Sequence, residues 1–417
     1  MVALLLGNVV DTAVALGNHK QVSQAKQEAA AINASLGMYK HSQPIPTSVN
    51  LWPILSEHFR LTQYYDRPEV RHEIIGYLSN KKYLEYMLRN AVPYIYYVYQ
   101  QTQARDMPAE FALLPMVESG YDPFAYSPAG ATGIWQIMPG TASSLGLDIN
   151  WWYDARRDTV VSTQASLNYL GSLHGTLHNW LLAAAAYDAG IGAVRAAMEE
   201  NQRMRRGVYF WDLPLPHETQ LYVPKLLALA AIIRYAVYYH VKLPYIPNHP
   251  HFSAVNMNSQ IDLIEAGRLA GVPADVIRRL NPGMRRWATN PNGIYALLIP
   301  SDKSETFKRN LGNLAGKSHI SWQYHEVRTG ETLTKIAKIY HTSAGLLRLV
   351  NGLKNNHVEP EQGLLVPLYL NQTYSIPVAN VKTDVSVSVL KPLKAAQKVK
   401  EDELKRLLVK IYGQNNT

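Results

Sequence analysis

Five positions of this chain recur seventy residues further on. Leu263, Leu269, Ile277, Leu280 and Asn281 return as Leu333, Ile339, Leu347, Val350 and Asn351. The repeat limits the fold sharply, because each copy has to close its own small core within about 45–50 residues. Each copy is flanked by β-like segments, Phe252–Val255 and Ala296–Ile299 in the first and Tyr324–Val327 and Leu364–Leu368 in the second. The spacing predicts strand–helix–helix–strand for both. The second copy is the cleaner, since Thr329-Gly330-Glu331-Thr332 supplies a turn and a helix start. The first carries an extra basic segment, Arg285-Arg286-Trp287, before its last strand.

Upstream of the repeat the pattern is helical. From about residue 50 to 240 apolar residues recur at three and four, as in Ile74, Leu78, Tyr83, Met87 and Leu88, and again in Leu167, Leu170, Leu173 and Leu177. Ser162 or Thr163 is the expected cap of the helix holding Leu167, and Asp106 before Pro108 marks another start. The apolar run Leu226–Ile233 is bounded by Lys225 and Arg234. It falls far short of the ~20 residues that span a bilayer, and reads as a buried helix. Tyr94, Tyr96, Tyr97 and Tyr99 read as helix–helix packing rather than a sugar-stacking platform. Pro244, Pro247 and Pro250 mark the break before the repeat. Residues 21–45 read as a leader or linker, and the stretch from Lys391 to Lys410 as a solvated basic tail.

The 41 Lys and Arg exceed the 32 Asp and Glu by +9, which suits a polyanionic partner. No nucleic-acid motif accompanies that charge, so no nucleic-acid partner is expected. Cysteine is absent from the sequence, which rules out disulfides, Cys-ligated zinc, thiol nucleophiles and lipid attachment through cysteine. Ala13-Val14-Ala15 fits a signal-cleavage site, but no Lys or Arg precedes the apolar run, and Asn8 and Asp11 interrupt it. His174 and His178 lie four apart without the H-E-x-x-H pattern, so no metal is expected there. No phosphate-binding glycine loop and no Gly-x-Ser-x-Gly elbow occurs, and no cofactor is expected.

Glu118 is the chemically informative residue. It ends the apolar run Leu113, Leu114, Met116, Val117 and precedes Ser119-Gly120. A carboxyl so placed is poorly solvated, which disfavours the anion and raises its pKa. An acid still protonated near neutral pH is what a glycosidic oxygen needs as proton donor. The same pattern also fits a helix-end Glu held by backbone N–H groups or an Arg. Gly130, Gly133 and Gly140 then surround Trp135 and Gln136, letting backbone approach a ligand beside an amide side chain.

Several motifs in order carry a family resemblance. Glu118-Ser119-Gly120-Tyr121, Gly133-x-x-Gln136-Ile137-Met138-Pro139, Ala186-Tyr187-Asp188-x-Gly190 and Glu218-Thr219-x-x-Tyr222-Val223-Pro224-Lys225 resemble the family-1 lytic transglycosylases, and the terminal repeats resemble LysM modules. The resemblance covers about residues 50 to 370. It implies a mainly α chain. The expected order is a leader or linker over 1–45, a goose-lysozyme-like helical catalytic domain with an N-terminal helical extension over 46–245, a degenerate LysM-like module over 251–302, a LysM module over 322–370 and the basic tail over 371–417.

The resemblance also implies a reaction, cleavage of the β-1,4 bond between N-acetylmuramic acid and N-acetylglucosamine of peptidoglycan with a 1,6-anhydromuramic end left behind. Glu118 matches the family's catalytic acid/base. Ser127 matches the residue that orients the substrate acetamido group, and Gln136, Met138, Tyr187 and Tyr222 match positions lining the cleft. In the second module Thr329, Gly330, Glu331 and Thr332, with Leu353 and Asn355 opposite, match the glycan-binding groove, although all of them also fit turn and capping roles. The implied setting is the bacterial cell envelope, in the periplasm and compatible with attachment at a membrane, with peptidoglycan as partner and a monomer as the working unit.

Asp188 departs from the family, which usually carries Asn there. An anion at that position raises the pKa of Glu118, serves as a second carboxylate, or simply caps the following helix. The rival functions are accordingly a hydrolytic muramidase and a non-catalytic wall-binding scaffold.

Overall fold

The structure is a computed structural model that describes residues 49–257, 259–290, 295–313 and 321–368. The leader, the signal-like segment and the basic tail lie outside the described residues. The helical body comprises α1 (Leu51–Glu57), α2 (Pro68–Ser79), α3 (Lys81–Ala91), α4 (Ile95–Gln103), α5 (Leu114–Ser119), α6 (Pro139–Ser144), α7 (Thr159–Leu177), α8 (Trp180–Ala189), α9 (Ile191–Arg203) and α10 (His217–Arg234). The first module follows as β1 (Phe252–Met257), α11 (Leu263–Ala270), α12 (Ala274–Leu280), β2 (Tyr295–Pro300) and α13 (Ser304–Gly312). The second is β3 (Ser321–Glu326), α14 (Leu333–Ile339), α15 (Ala344–Val350) and β4 (Gly363–Leu368).

The core of the body forms around α10. Its Leu226–Ile233 run is apolar on every side, and a helix of that kind is stable only when surrounded. All eight residues of the run are buried, with α2 and α8 packed against the helix. Each large side chain in this run contributes roughly 1.5–3 kcal/mol of burial. The tyrosines of α4 and the residue before it are buried as well, so they are packing residues. The cap of α7 is Asp158, not Ser162 or Thr163. Asp158 Oδ1 accepts from the N–H groups of Val160 and Val161 at 2.9 Å each. Ser162 and Thr163 are buried inside the helix, one turn further on. Asp106 and Pro108 lead into a 3-10 turn, Ala109–Leu113, rather than directly into an α-helix. His174 stacks on Trp180 with ring centroids 3.8 Å apart, and His178 ends α7 in the left-handed conformation.

Each module is one antiparallel strand pair covered by two helices. β1 pairs with β2 from Phe252↔Pro300 to Met257↔Tyr295, and β3 with β4 from Ser321↔Leu368 to Glu326↔Gly363. The repeated asparagine explains why the repeat holds. Asn281 Nδ2 donates to Ile277 O and Leu298 O at 2.8 Å, and its Oδ1 accepts from Leu298 N at 2.8 Å. Asn351 does the same with Leu347 O at 2.8 Å, Leu365 O at 2.9 Å and Leu365 N at 2.6 Å. One side chain thus fastens the end of the second helix to the closing strand in both copies. The copies differ at Leu269, which is buried, and Ile339, which is 55% exposed. In the first module α13, unanticipated from the sequence, adds buried Phe307 to the same core as Leu263 and Leu297.

The modules also touch the body. Tyr94 donates its hydroxyl to Arg279 O at 2.6 Å. Trp151 sits edge-on to Tyr324 at 4.9 Å between centroids and joins a cluster that includes Ala288, Trp322 and Leu365.

Candidate active site

The short helix α5 places Glu118. Pro115 stands in its first turn, and it ends at Gly120, whose left-handed φ of 61° turns the chain away at once. Ser119 Oγ donates to Ile134 O at 3.0 Å and so ties α5 to the loop that carries Gln136. That loop is braced from below. Arg156 forks onto Asp154 with Nε–Oδ1 at 2.9 Å and Nη2–Oδ2 at 2.8 Å, while its Nη1 donates to Gly130 O at 2.8 Å. Both partners of this ion pair are buried, so they are held in one geometry. Gly133 is needed where the loop crosses Arg156. It has φ 80°, and a Cβ there would lie 2.3 Å from the carbonyl oxygen of Arg156.

Two carboxylates emerge from the same apolar stretch, and the structure separates their roles. Glu110 is fully buried and accepts from Leu61 N at 2.7 Å and Arg60 N at 3.1 Å. It is a structural acceptor for the backbone at Arg60 and Leu61. Glu118 is only partly covered, and its hydrogen-bond partner among the described residues is a side chain: the Tyr222 hydroxyl donates to Glu118 Oε1. Desolvation is the largest influence on Glu118 and pushes its carboxyl up to about 8. The Tyr222 bond opposes that rise, and the nearby charges of Asp188 and Glu218 add to it. At pH 7 the acid form is therefore in excess by about ten to one.

The surroundings come from three helices. Tyr222 is buried in α10, one turn beyond Glu218 and Thr219. Tyr187, near the end of α8, donates its hydroxyl to Trp135 O at 3.0 Å and lies 3.1 Å from Ser166 Oγ. Burial first and the charge of Glu118 second hold the Tyr187 and Tyr222 phenols far above their ordinary range, so both remain neutral donors. Asp188 does not cap the following helix. The cap residue of α9 is Gly190, and Asp188 Oδ2 accepts from Thr219 Oγ1 at 2.6 Å. Burial raises the Asp188 carboxyl, Glu218 raises it further, and the Thr219 bond and Lys225 counter this.

Of the residues expected from the sequence, Glu118 and Tyr222 meet directly, with Tyr187 and Asp188 around them. Ser127, Gln136 and Met138 lie on the braced loop. Ser127 Oγ accepts from Ala131 N at 3.0 Å, Gln136 Nε2 donates to Gly133 O at 2.8 Å, and Met138 is 40% exposed. No hydrogen bond joins these three to Glu118 among the described residues. Glu218 and Thr219, named only as part of a motif, had no site role in the sequence reading, and neither did Ser166. The first two stand in the segment that contains Tyr222, and helical spacing alone would have placed them one turn below it. Two surface cavities of about 290 and 470 Å³, around Arg60, His174 and Trp180, contain none of the site residues.

In the second module the β3–α14 loop and the loop entering β4 leave the same end of the strand pair, where Glu326 faces Gly363. Val327 N donates to Gln362 O at 3.0 Å and Glu361 N to Val327 O at 2.8 Å, closing that end. Thr332 caps α14 by accepting from Lys335 N at 3.3 Å. Glu331 Oε2 accepts from Arg328 N at 2.8 Å and lies 2.9 Å from His325 Nε2, and Thr329 and Gly330 are exposed. Leu353 packs partly against the module core, while Asn355 is exposed and accepts from His357 N at 3.0 Å. These residues have turn and capping roles, and they share one end of the sheet.

Residues 96–209 match the family described as Transglycosylase SLT domain. Residues 251–316 match Lytic transglycosylase MltD, LysM-like domain, and residues 325–367 match LysM domain. The membrane-bound lytic murein transglycosylase D of Escherichia coli (strain K12) is 31% identical over 381 residues, 87% of this chain and 84% of the relative. The soluble lytic murein transglycosylase of the same organism is 29% identical over 140 residues, 32% of this chain and 22% of that protein. The solved 70 kDa soluble lytic transglycosylase from Escherichia coli overlays with a TM-score of 0.31 at 24% identity, over 42% of this chain and 30% of that one. That overlay is too slight to weigh on the assignment.

Proposed function

The chain belongs to the lytic murein transglycosylases, and from that premise we propose that Glu118 is the single acid/base with which it cuts peptidoglycan. The enzyme is a lytic transglycosylase with a lysozyme-like helical catalytic domain and LysM-type modules. The observation that carries the residue assignment is the state of Glu118, a partly accessible carboxyl held in the acid form by desolvation and touched by the Tyr222 hydroxyl.

The steps follow from that state. The neutral Glu118 gives its proton to the oxygen joining N-acetylmuramic acid to N-acetylglucosamine as the C1–O bond breaks. The acetamido carbonyl of the muramic residue closes on C1 and takes up the developing charge, which makes this a substrate-assisted exception to two-carboxylate hydrolysis. Glu118, now an anion with Tyr222 donating to it, accepts the proton of the muramic 6-hydroxyl. That oxygen attacks C1, the acetamido bond opens, and a 1,6-anhydro end forms with no water consumed. Ser127 orients the acetamido group, and Gln136, Met138 and Tyr187 line the sugar path. Asp188 holds Thr219 and keeps an anion beside Glu118, which supports the acid form needed in the first step. The second module binds glycan through the loop pair containing Thr329–Thr332, Leu353 and Asn355, raising the local concentration of cleavable strands. The setting is the cell envelope, with peptidoglycan as the partner.

Release of soluble fragments from purified sacculi tests the role of Glu118. Glu118→Gln should lower the rate by about a thousandfold or more while leaving sacculus binding intact. A variant that keeps more than a tenth of the activity would reject Glu118 as the acid/base.

A further inference from the structure

The basic segment Arg285-Arg286-Trp287 has no part in the chemistry above. It lies against the helical body. Arg285 N donates to Trp152 O at 2.9 Å, Asp154 N donates to Gly283 O at 2.9 Å, and Tyr153 and Met284 face each other in an antiparallel bridge. The strip 150–157 of the body therefore runs beside 283–286 of the first module.

Three guanidinium groups gather on this seam. Arg157, half-buried, donates Nε to Thr132 Oγ1 at 2.9 Å. Arg285, exposed, donates Nη1 to Asn150 O at 2.6 Å. Arg286 lies over the Trp151 ring, 3.9 Å from its centroid, and its Nε is buried with no hydrogen-bond partner. None of the three forms an ion pair with a carboxylate among the described residues. Asp154, whose charge reaches Arg157, is already forked by Arg156. The charge of Arg285 also disfavours the other two cations. Burial, with Arg285 second, pushes Arg286 down to about 10, and burial together with Arg156 and Arg285 lowers Arg157. Like charges held this close are relieved by an anion that accepts from the exposed guanidinium of Arg285.

The seam lies beside the loop that holds the muramic residue. Arg157 bonds Thr132 on that loop, and Tyr126 is 64% exposed next to Ser127. In muramic acid the acetamido group and the ether that carries the peptide stem sit on adjacent ring carbons. A sugar whose acetamido group faces Ser127 therefore sends its stem out beside it. We propose that Arg157, Arg285 and Arg286 form a binding site for the carboxylates of the peptide stem, so that the first module, joined to the catalytic domain, selects peptide-bearing strands. This rests on the transglycosylase reading and on the placement of Ser127.

The test is equilibrium binding of the full chain carrying Glu118→Gln, which leaves the strands intact. The probes are purified glycan strands with their peptide stems and the same strands stripped by an amidase. Peptide-bearing strands should bind about tenfold tighter at low salt, and Arg285→Gln or Arg157→Gln should each reduce that ratio by about threefold or more. Arg285→Lys should restore part of it, since a single ammonium replaces a fork. Equal losses on both strand types, or an unchanged ratio in variants that melt like the parent, would overturn the proposal. So would competition by inorganic phosphate far stronger than by acetate at equal ionic strength, which would mark a general anion site. The turnover assay on the chain with Glu118 restored reads the transglycosylase assignment separately. Its failure leaves the binding ratio interpretable, and a lost ratio leaves the turnover result standing.

Discussion

Replacing Glu118 with Gln should make the protein more stable, by an amount that grows with pH. Burial holds the Glu118 carboxyl at about 8, against 4.5 in an unfolded chain. Below about pH 4.5 the group is neutral in both states and contributes no difference. Between there and pH 8 the unfolded chain ionises while the folded one does not, so stability falls as pH rises. Above pH 8 both forms are ionised and the full cost of the buried anion, about 5 kcal/mol, is reached. Gln is neutral throughout, close in shape, and still accepts from the Tyr222 hydroxyl through its amide oxygen. The advantage of the variant should therefore be about 1 kcal/mol at pH 5, about 3 at pH 7 and about 4 at pH 8. For a helical body of roughly 200 residues this widens the gap in Tm by about 6–12 °C between pH 5 and pH 8. Thermal unfolding of both proteins across that range, followed by circular dichroism, measures it. A gap that is flat with pH, or that narrows as pH rises, would refute a desolvated Glu118 and with it the physical basis for its role as acid.

Other outcomes follow from the same geometry. Tyr222→Phe removes the donor that favours the Glu118 anion, so the alkaline limb of the kcat/KM profile should move above pH 8 and the rate should fall about 10–100-fold. Asp188→Asn keeps an acceptor for Thr219 but deletes a charge that raises Glu118, so the same limb should move below pH 8, and an unmoved limb would show that Asp188 does not act on Glu118. Gly133→Ala drives a Cβ into the Arg156 carbonyl at a positive φ, and denaturant titration should show a loss of about 2 kcal/mol or more. Asn351→Ala leaves Leu365 N and Leu365 O unpaired, and hydrogen exchange should show the second module opening while α10 stays protected.

The elements with period and repetition were legible in the sequence. The 3.6-residue pattern gave α7, the unbroken apolar run gave α10, and the seventy-residue repeat gave both modules, because the pattern of buried positions is what closes each core. The Glu118 to Tyr222 contact spans 104 positions and rests on the packing of α5 against α10, which no local spacing encodes. Motif resemblance brought those two residues together where periodicity could not. Local chemistry misled in two places. Ser162 and Thr163 look like caps, yet Asp158 has the shorter reach to two free N–H groups. Asp188 looks like a cap for α9, yet Thr219 from a distant helix claims its carboxylate. Glu110 shows the limit of the apolar-setting argument, since its sequence context resembles that of Glu118 while backbone N–H groups make it structural. The Trp151 contact with the second module was invisible because it depends on two separately folded surfaces meeting.

With Glu118 as the single acid/base, the glycan is cut without delivery of water. Digesting purified sacculi in water enriched in heavy oxygen tests it most directly, with the masses of the new muramic ends read by mass spectrometry. The expected ends are one water lighter than reducing ends, free of the heavy isotope, and absent when Glu118→Gln is used. Reducing ends that carry the heavy oxygen would contradict it, and would make this chain a hydrolase with Asp188 as its second carboxylate.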